Sequence, residues 1–417
     1  MSVDTSALKQ QFSGAFWKFW TGQTISAFGG SFSSFAIPLL IFQLTGSSVS
    51  LAFSVAVTVL PYVLFGLVIG AWVDRVNRRR LMLLTDLARA LAIASLFLAA
   101  RASALSIGWI FVVAFLNSAL GIGFDAANFA AIPSLVPPEK LLAANGRILA
   151  GNSTATVLGP LIAGVLVAIV PLPALFLIDA ASFLVSSVSL ALIRASFQPP
   201  ADQKQAPARL LTSVKEGLSY VLRHRFLSWI TLLLLLINFI LPTTSVQVVP
   251  LAREWFAASD TQIGLLYAAA GLGTVCSSLL AERIGKRWPT GVLVLAAVGL
   301  DGLFTLLATL THWFWALLLF WCLRGGSDVL FSISSYSLTQ SEVPGQMLGR
   351  VISFIRVLTW STAPVGALLG GFAIERTDNI ALVYATIGLL SILISLVFCA
   401  TPLSRAGRPG RASQFSE

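Results

Sequence analysis

"GAWVDRVNRRR", residues Gly70–Arg80, is the most charged run in an otherwise apolar chain. One acid and four arginines follow about 20 apolar residues, the length a helix needs to cross a bilayer. Charged residues are 11% of the 417 and hydrophobic ones 57%, with a mean hydropathy of +0.87. A soluble domain carries about 25% charged residues as its polar skin. This composition cannot supply one, so the fold class is an all-α polytopic membrane protein. A β-barrel would need apolar and polar residues in alternation. "WITLLLLLINFIL" (Trp229–Leu241) does not alternate, which excludes it.

The hydropathy pattern predicts twelve transmembrane helices, at 15–43, 48–73, 81–101, 106–134, 141–170, 173–194, 226–254, 261–282, 288–309, 312–340, 346–372 and 379–402. The first apolar run is too long for a cleavable signal. The widest gap separates the sixth and seventh spans. Three domains are therefore expected: an N-terminal six-helix half (1–195), a cytoplasmic linker (196–225) and a C-terminal six-helix half with a short tail (226–417). The linker begins as a Pro- and Gln-rich tether, and Leu210–Leu222 could form an amphipathic surface helix.

With both termini in the cytoplasm, twenty of the 27 Lys and Arg fall on that side, three on the other and four within spans. The net charge of +10 thus reads as membrane topology, and no nucleic-acid partner is expected. The three cysteines form no CxxC or metal-ligand spacing and read as small packing residues. An enzyme is not expected either: there is no metal cluster, Gly-x-Ser-x-Gly elbow or Walker loop.

The opening stretch has a twin. "LAERIGKRW" (Leu280–Trp288) sets Glu282 against Asp74 and Arg283 against Arg75 at an offset of 208. Val136-Pro137 matches Val343-Pro344 at an offset of 207, and Gly159 then matches Gly366. The chain is a parallel duplication of six spans.

These features resemble the major facilitator superfamily over nearly the whole chain. Gly70, Asp74, Arg75, Arg78 and Arg79 match its loop signature Gly-x-x-x-Asp-Arg-x-Gly-Arg-Arg. Asn77 stands at the signature's later glycine, and Asn also accepts φ > 0. "GRILAGNSTATVLGPLIAG" is similar to the antiporter-branch signature of the fifth span through Gly146, Gly159, Pro160 and Gly164, with Ala155 and Ala163 in place of glycines. "FWKFWTGQTISAFGGSFSSFAIPLLIFQLTGS", "AAIPSLVPPEKLLAANGRI" and "LIDAASFLVSS" resemble the macrolide-efflux and enterobactin-exporter-like permeases. That branch often has an acid where Gly30 stands here.

The resemblance implies a conformational latch of Gly70, Asp74, Arg75, Arg78 and Arg79, with Glu282 and Arg283 in the twin. Asp74 would meet the start of the eleventh span near Gly349 and Arg350. Topology explains the arginines but not Asp74, which could cap a helix N-terminus.

Ionisable residues inside spans are costly and usually functional. Asp86 and Arg89, three apart on the third span, are expected to pair. Asp125 is the first candidate for proton coupling, before Asp328 and Asp301, with Asp179 also considered. Asp328 could instead pair with Arg324 at i,i+4, and Asp179 could be a helix-packing residue. Arg147 and Arg356 occupy equivalent spans and could partner a carboxylate or bind an anionic substrate, although Arg147 suits snorkelling to the interface.

The family layout implies a cavity lined by the first, fourth, seventh and tenth spans. Its candidate residues are Gln23, Phe28, Phe32, Asn117, Phe124, Asn128, Asn238, Gln247, Phe331 and Ser335, with Arg356 from the eleventh. Such an apolar lining with scattered hydrogen-bonding groups suits a bulky amphiphile. The expected function is proton-driven export of hydrophobic or amphiphilic compounds, such as macrolides or other drugs, by alternating access. Export of a siderophore or secreted metabolite, and movement of lipid or lysophospholipid, are the alternatives. The expected setting is the bacterial cytoplasmic (inner) membrane, as a monomer in lipid. No cofactor is expected, and the proton gradient is the energy source.

Overall fold

In lipid every backbone N–H and C=O must be satisfied within its own segment, so apolar spans become helices. The computed structural model describes residues 12–73, 76–194, 197, 218–343 and 345–406, with the backbone alone at 67, 68, 70, 71, 138, 345–350 and 353. Among the described residues, twelve helices are long and apolar enough to cross a membrane, and no strand occurs.

The helices are α1 (Gly14–Thr45), α2 (Ser48–Val73), α3 (Arg78–Arg101), α4 (Ile107–Ala131), α5 (Leu141–Leu166) and α6 (Ala174–Ala191). After the linker come α7 (Arg225–Val246), α8 (Asp260–Gly285), α9 (Thr290–Leu310), α10 (Phe314–Glu342), α11 and α12 (Ile380–Cys399). α11 is broken into α11a (Gly345–Trp360) and α11b (Thr362–Thr377).

Local sequence sets most of the starts. Ser106 accepts from Trp109 N to cap α4, and Asn379 accepts from Leu382 N to cap α12. Ser259 and Gln262 form a reciprocal capping box on α8. Asn77 caps α3 by accepting from Arg80 N at 3.0 Å, with φ −69°. The glycine-like φ > 0 expected at Asn77 is therefore not used; its side chain supplies a cap instead. An Asn77→Ala variant is expected to lose about 1 kcal/mol of stability, measurable as a lowered unfolding midpoint in detergent.

Two spans differ most from their predicted extents. The seventh, expected to reach 254, is interrupted at Gln247 and resumes as a helical turn at Val248–Pro250 that widens to a π-helix at Leu251–Trp255. Gln247 donates its amide to Ser48 O there, which ties down the helix end. The eleventh runs on to Thr377, where Asp378 at φ 49° stops it. Of the amphipathic helix expected at Leu210–Leu222, residues 218–223 are helical and the rest lies outside the described residues.

The chain forms two compact units. The first comprises Met1–Ser34, Leu64–Gly159 and Pro171–Ala206; the second comprises Phe35–Val63, Pro160–Val170 and Pro207–Glu417. They divide the chain differently from the two halves, because the ends of α1 and α5 and the start of α2 belong with the second.

In the first unit α3 packs on α4 and α6. Its apolar core gathers Phe16, Phe19, Met82, Phe124, Leu190 and Phe197. α6 presents Ser182, Ser186 and Ser189 at helical spacing toward α1. Gln23 Nε2 donates to Ser186 Oγ at 3.0 Å, and Ser189 Oγ donates to Lys18 O. Such small polar seams let membrane helices approach closely.

In the second unit α9 packs on α10 and α12, α8 on α10, and α7 on α11b. α7 and α11b meet backbone to backbone, and a Cβ at Gly366 would collide with the Phe239 carbonyl. Gly164 and Gly264 also leave no room: a Cβ on either would lie 2.9 Å from the other's Cα. Nearby, Glu375 Oε1 accepts from Ser47 Oγ at 2.5 Å and from Val49 N at 3.0 Å at the start of α2.

Candidate functional site

The repeated loop is the first place where residue roles resolve. Asp74 and Arg75 lie outside the described residues, and Gly70 is in the last turns of α2. Arg78 is buried and donates to Ala130 O at 3.1 Å and to Phe197 O at 3.3 Å. Arg79 donates Nε to Leu190 O at 3.0 Å and a second N–H to Ala191 O. Those are the last carbonyls of α6, which lack intrahelical partners and lie at the negative end of its dipole. The arginines are thus helix-end anchors as well as topology signals. In the twin, Glu282 pairs with Lys286 one turn on at 2.6 Å, and both are exposed, as is Arg283.

The fifth-span signature has graded surroundings. Gly146 faces open space, whereas a Cβ at Gly159 would collide with Ser31. Pro160 lies inside α5, and Gly164 meets Gly264. Arg147 is exposed, donates to Ala143 O at 3.2 Å and stacks 4.4 Å from the Phe12 ring.

Within the first unit the ionisable residues converge on Arg89. Its guanidinium acts electrostatically on Asp86 of α3, Asp125 of α4 and Asp179 of α6. It does not form the close i,i+3 pair with Asp86 that sequence spacing suggests. Instead Arg89 Nε donates to Asn117 Oδ1 at 2.8 Å, and its plane sits 4.3 Å from the Phe183 ring and 5.8 Å from Phe124. Asp86 is 0% exposed, and neither of its oxygens has an aligned hydrogen bond. Asp179 is 1% exposed and accepts from Ser33 Oγ and, at 3.3 Å, from Ser182 Oγ. Asp125 is exposed on its unit, because its flanking Gly123 and Phe124 take the packed face. Asn128 keeps a buried Oδ1 without a partner. Phe28 is half-buried on α1, and Phe32 is buried.

The second unit encloses a cavity of about 430 Å³ between α7, α10 and α11a. Of the expected lining it includes Asn238, Phe331, Ser335 and Arg356, together with Asp328. Gln247 is fully buried on the α2 backbone instead. Arg324 also lines the cavity and pairs with Asp301 of α9 at 3.3 Å, with both side chains nearly inaccessible. Arg324 also donates to Thr244 Oγ1 at 2.6 Å and to Ser245 Oγ at 3.3 Å, and lies 4.7 Å from the Trp321 ring. The i,i+4 pair with Asp328 is thus passed over for a carboxylate on another helix. Trp360, which the sequence reading missed, completes the wall 5.6 Å from Arg356. Its i,i+4 spacing from Arg356 was the available signal.

This architecture suits movement of a solute. Charges are buried within membrane helices, and a mainly apolar cavity carries a few polar groups. Among the described residues no group of His, Cys, Asp and Glu could hold a metal ion.

Comparison with known proteins points the same way. The Major Facilitator Superfamily model matches residues 19–255. Macrolide efflux protein A of Streptococcus pyogenes is 24% identical over 364 residues, covering 87% of this chain and 89% of that protein. Enterobactin exporter EntS of Escherichia coli O81 is 27% identical over 384 residues, covering 89% and 88%. Among solved structures, nucleoside transporter NupG superposes with a TM-score of 0.77 at 13% identity, covering 93% of this chain and 99% of that one. A bacterial homologue of the iron transporter ferroportin, in an inward-facing state, gives 0.72 at 17%, covering 93% and 98%. At such identities the structures speak for the fold alone. Twelve spans, a duplicated loop signature and a family match over more than half its length lead to one assignment: this chain belongs to the Major Facilitator Superfamily and is a multi-pass membrane transporter.

Proposed function

We propose that the chain exports hydrophobic or amphiphilic compounds across the bacterial cytoplasmic membrane in exchange for protons, with both termini inside. The names of its relatives, a macrolide efflux protein and an enterobactin exporter, support the direction. The observation that carries the coupling is the Arg89 cluster, in which three carboxyls share one guanidinium.

Uncompensated charge in a low-dielectric bundle is expensive. Ionised together, the three carboxylates exceed the single cation by two charges. Taking up protons removes that excess, and releasing them restores it. The cluster can therefore switch its charge state as access alternates from one side of the membrane to the other. Asp125 is the open member and collects the proton. Asp179, held by Ser33 and Ser182, and the fully buried Asp86 store it. Asp301, buried against Arg324, offers one further carboxyl in the second unit. Asp74 and Arg75 are the latch that sets which side is open.

The test uses inside-out membrane vesicles, an imposed pH gradient and a hydrophobic fluorescent dye. Dye accumulation should follow the gradient and stop when it is collapsed. Asp179→Asn should lower the gradient-driven rate by roughly a hundredfold or more, in the range set by loss of a proton-transfer group. Accumulation indifferent to the gradient would overturn the coupling. So would a wild-type rate in Asp179→Asn.

A further inference from the structure

The cavity of the second unit carries two charges that the coupling scheme leaves unused. Asp328 is exposed to it, and its carboxylate has no ion pair or hydrogen bond among the described residues. Its helical neighbour Arg324 lies within electrostatic reach of it, but the close contacts of that guanidinium are Asp301, Thr244 and Ser245. Arg356 is exposed to the same cavity, with the Tyr336 hydroxyl at 3.4 Å, the Trp360 ring and no carboxylate among the described residues. Tyr336 marks the Arg356 end on α10, eight residues beyond Asp328. At about 1.5 Å per residue the two charges are about 12 Å apart along the helix axis.

The wall between them is apolar and aromatic, with Phe331 and Ile355 among its members. Ser332 and Ser335 are its hydroxyl groups along α10.

We propose that this cavity is a binding site for zwitterionic amphiphiles. The cationic amine docks on Asp328, the anionic group on Arg356 and Tyr336, and the apolar body along Phe331. The reasoning is one of discrimination. A ligand with one charge leaves the opposite wall charge without a partner as water is displaced, and a desolvated unpaired charge is costly. A ligand with both charges at the right separation pairs both ends, and the planar guanidinium suits a carboxylate or phosphate. This inference names the substrate class of the transporter proposed above and rests on that reading only for its physiological meaning.

Binding can be tested without transport. Calorimetry on the detergent-purified chain would compare 8-aminooctanoic acid, octylamine and octanoate, which share a chain and differ in charge. The zwitterion should bind at least about tenfold tighter than either singly charged probe, the ratio that roughly 1.4 kcal/mol of discrimination gives. Arg356→Gln should abolish its advantage over octylamine, and Asp328→Asn its advantage over octanoate. Arg356→Lys should keep part of the advantage. Circular dichroism and gel filtration report whether each variant is folded, and a charge preference retained in a folded Arg356→Gln overturns the assignment. Equal binding of the three probes by the wild type overturns it as well. Zwitterion preference without gradient-driven dye movement keeps this site and removes the coupling; the converse keeps the coupling and removes this site.

Discussion

An Arg324→Met variant is expected to lose about 3–5 kcal/mol of stability, the usual cost of leaving one member of a buried ion pair behind. Asp301 would remain 2% exposed inside α9, with no hydrogen bond to either oxygen and its only close cation gone. Tyr384 and Thr244, already bonded to each other through Tyr384 Oη and Thr244 O at 2.6 Å, cannot replace it. The double variant Arg324→Met with Asp301→Asn should recover most of the loss, because exchanging both partners removes the stranded charge. The measurement is a double-mutant cycle of unfolding midpoints in detergent. Additive losses in the double variant would show that the pair is not the stabilising unit.

A Gly366→Leu variant is the second large effect. The new side chain would start inside the Phe239 carbonyl, a backbone group that cannot rotate aside. α7 and α11b would have to separate, undoing a helix contact that depends on small residues. The expected loss is about 3 kcal/mol, at the upper end of overpacking costs. It would be read as a collapse of the monodisperse gel-filtration peak after heating. Gly146→Leu is the matched control from the fifth-span signature, since nothing lies within 4 Å of a Cβ there. Its peak should survive the same treatment. Equal sensitivity of the two variants would overturn the packing account.

The spans were legible because bilayer thickness imposes a length on any crossing helix, whatever its neighbours. The duplicated loop was legible because its charges stand out against apolar runs. What escaped is what depends on other helices. Residues 248–255 continue α7 as the pattern suggests, but the break at Gln247, which donates to the Ser48 carbonyl, and the widening to a π-helix carry no sequence signal. The partners of the buried charges escaped for the same reason. Spacing shows which groups share a helix face, but a long guanidinium also reaches across to other helices. Arg89 takes Asn117 of α4, and Arg324 takes Asp301 of α9. Neither choice leaves a trace in the i,i+3 or i,i+4 pattern.

The carboxylate of Glu375 at the start of α2 bears on how that end of the transporter lets go. One oxygen holds two donors, Ser47 Oγ and Val49 N, so drawing α2 away severs both at once. The contact behaves as a snap rather than a zip. Ser47, the residue before α2, meanwhile accepts from Ser50 N at 3.0 Å and so caps the helix. When Glu375 is left behind, that bond still closes the first turn. The helix can therefore depart whole, without fraying, and dock again ready-formed.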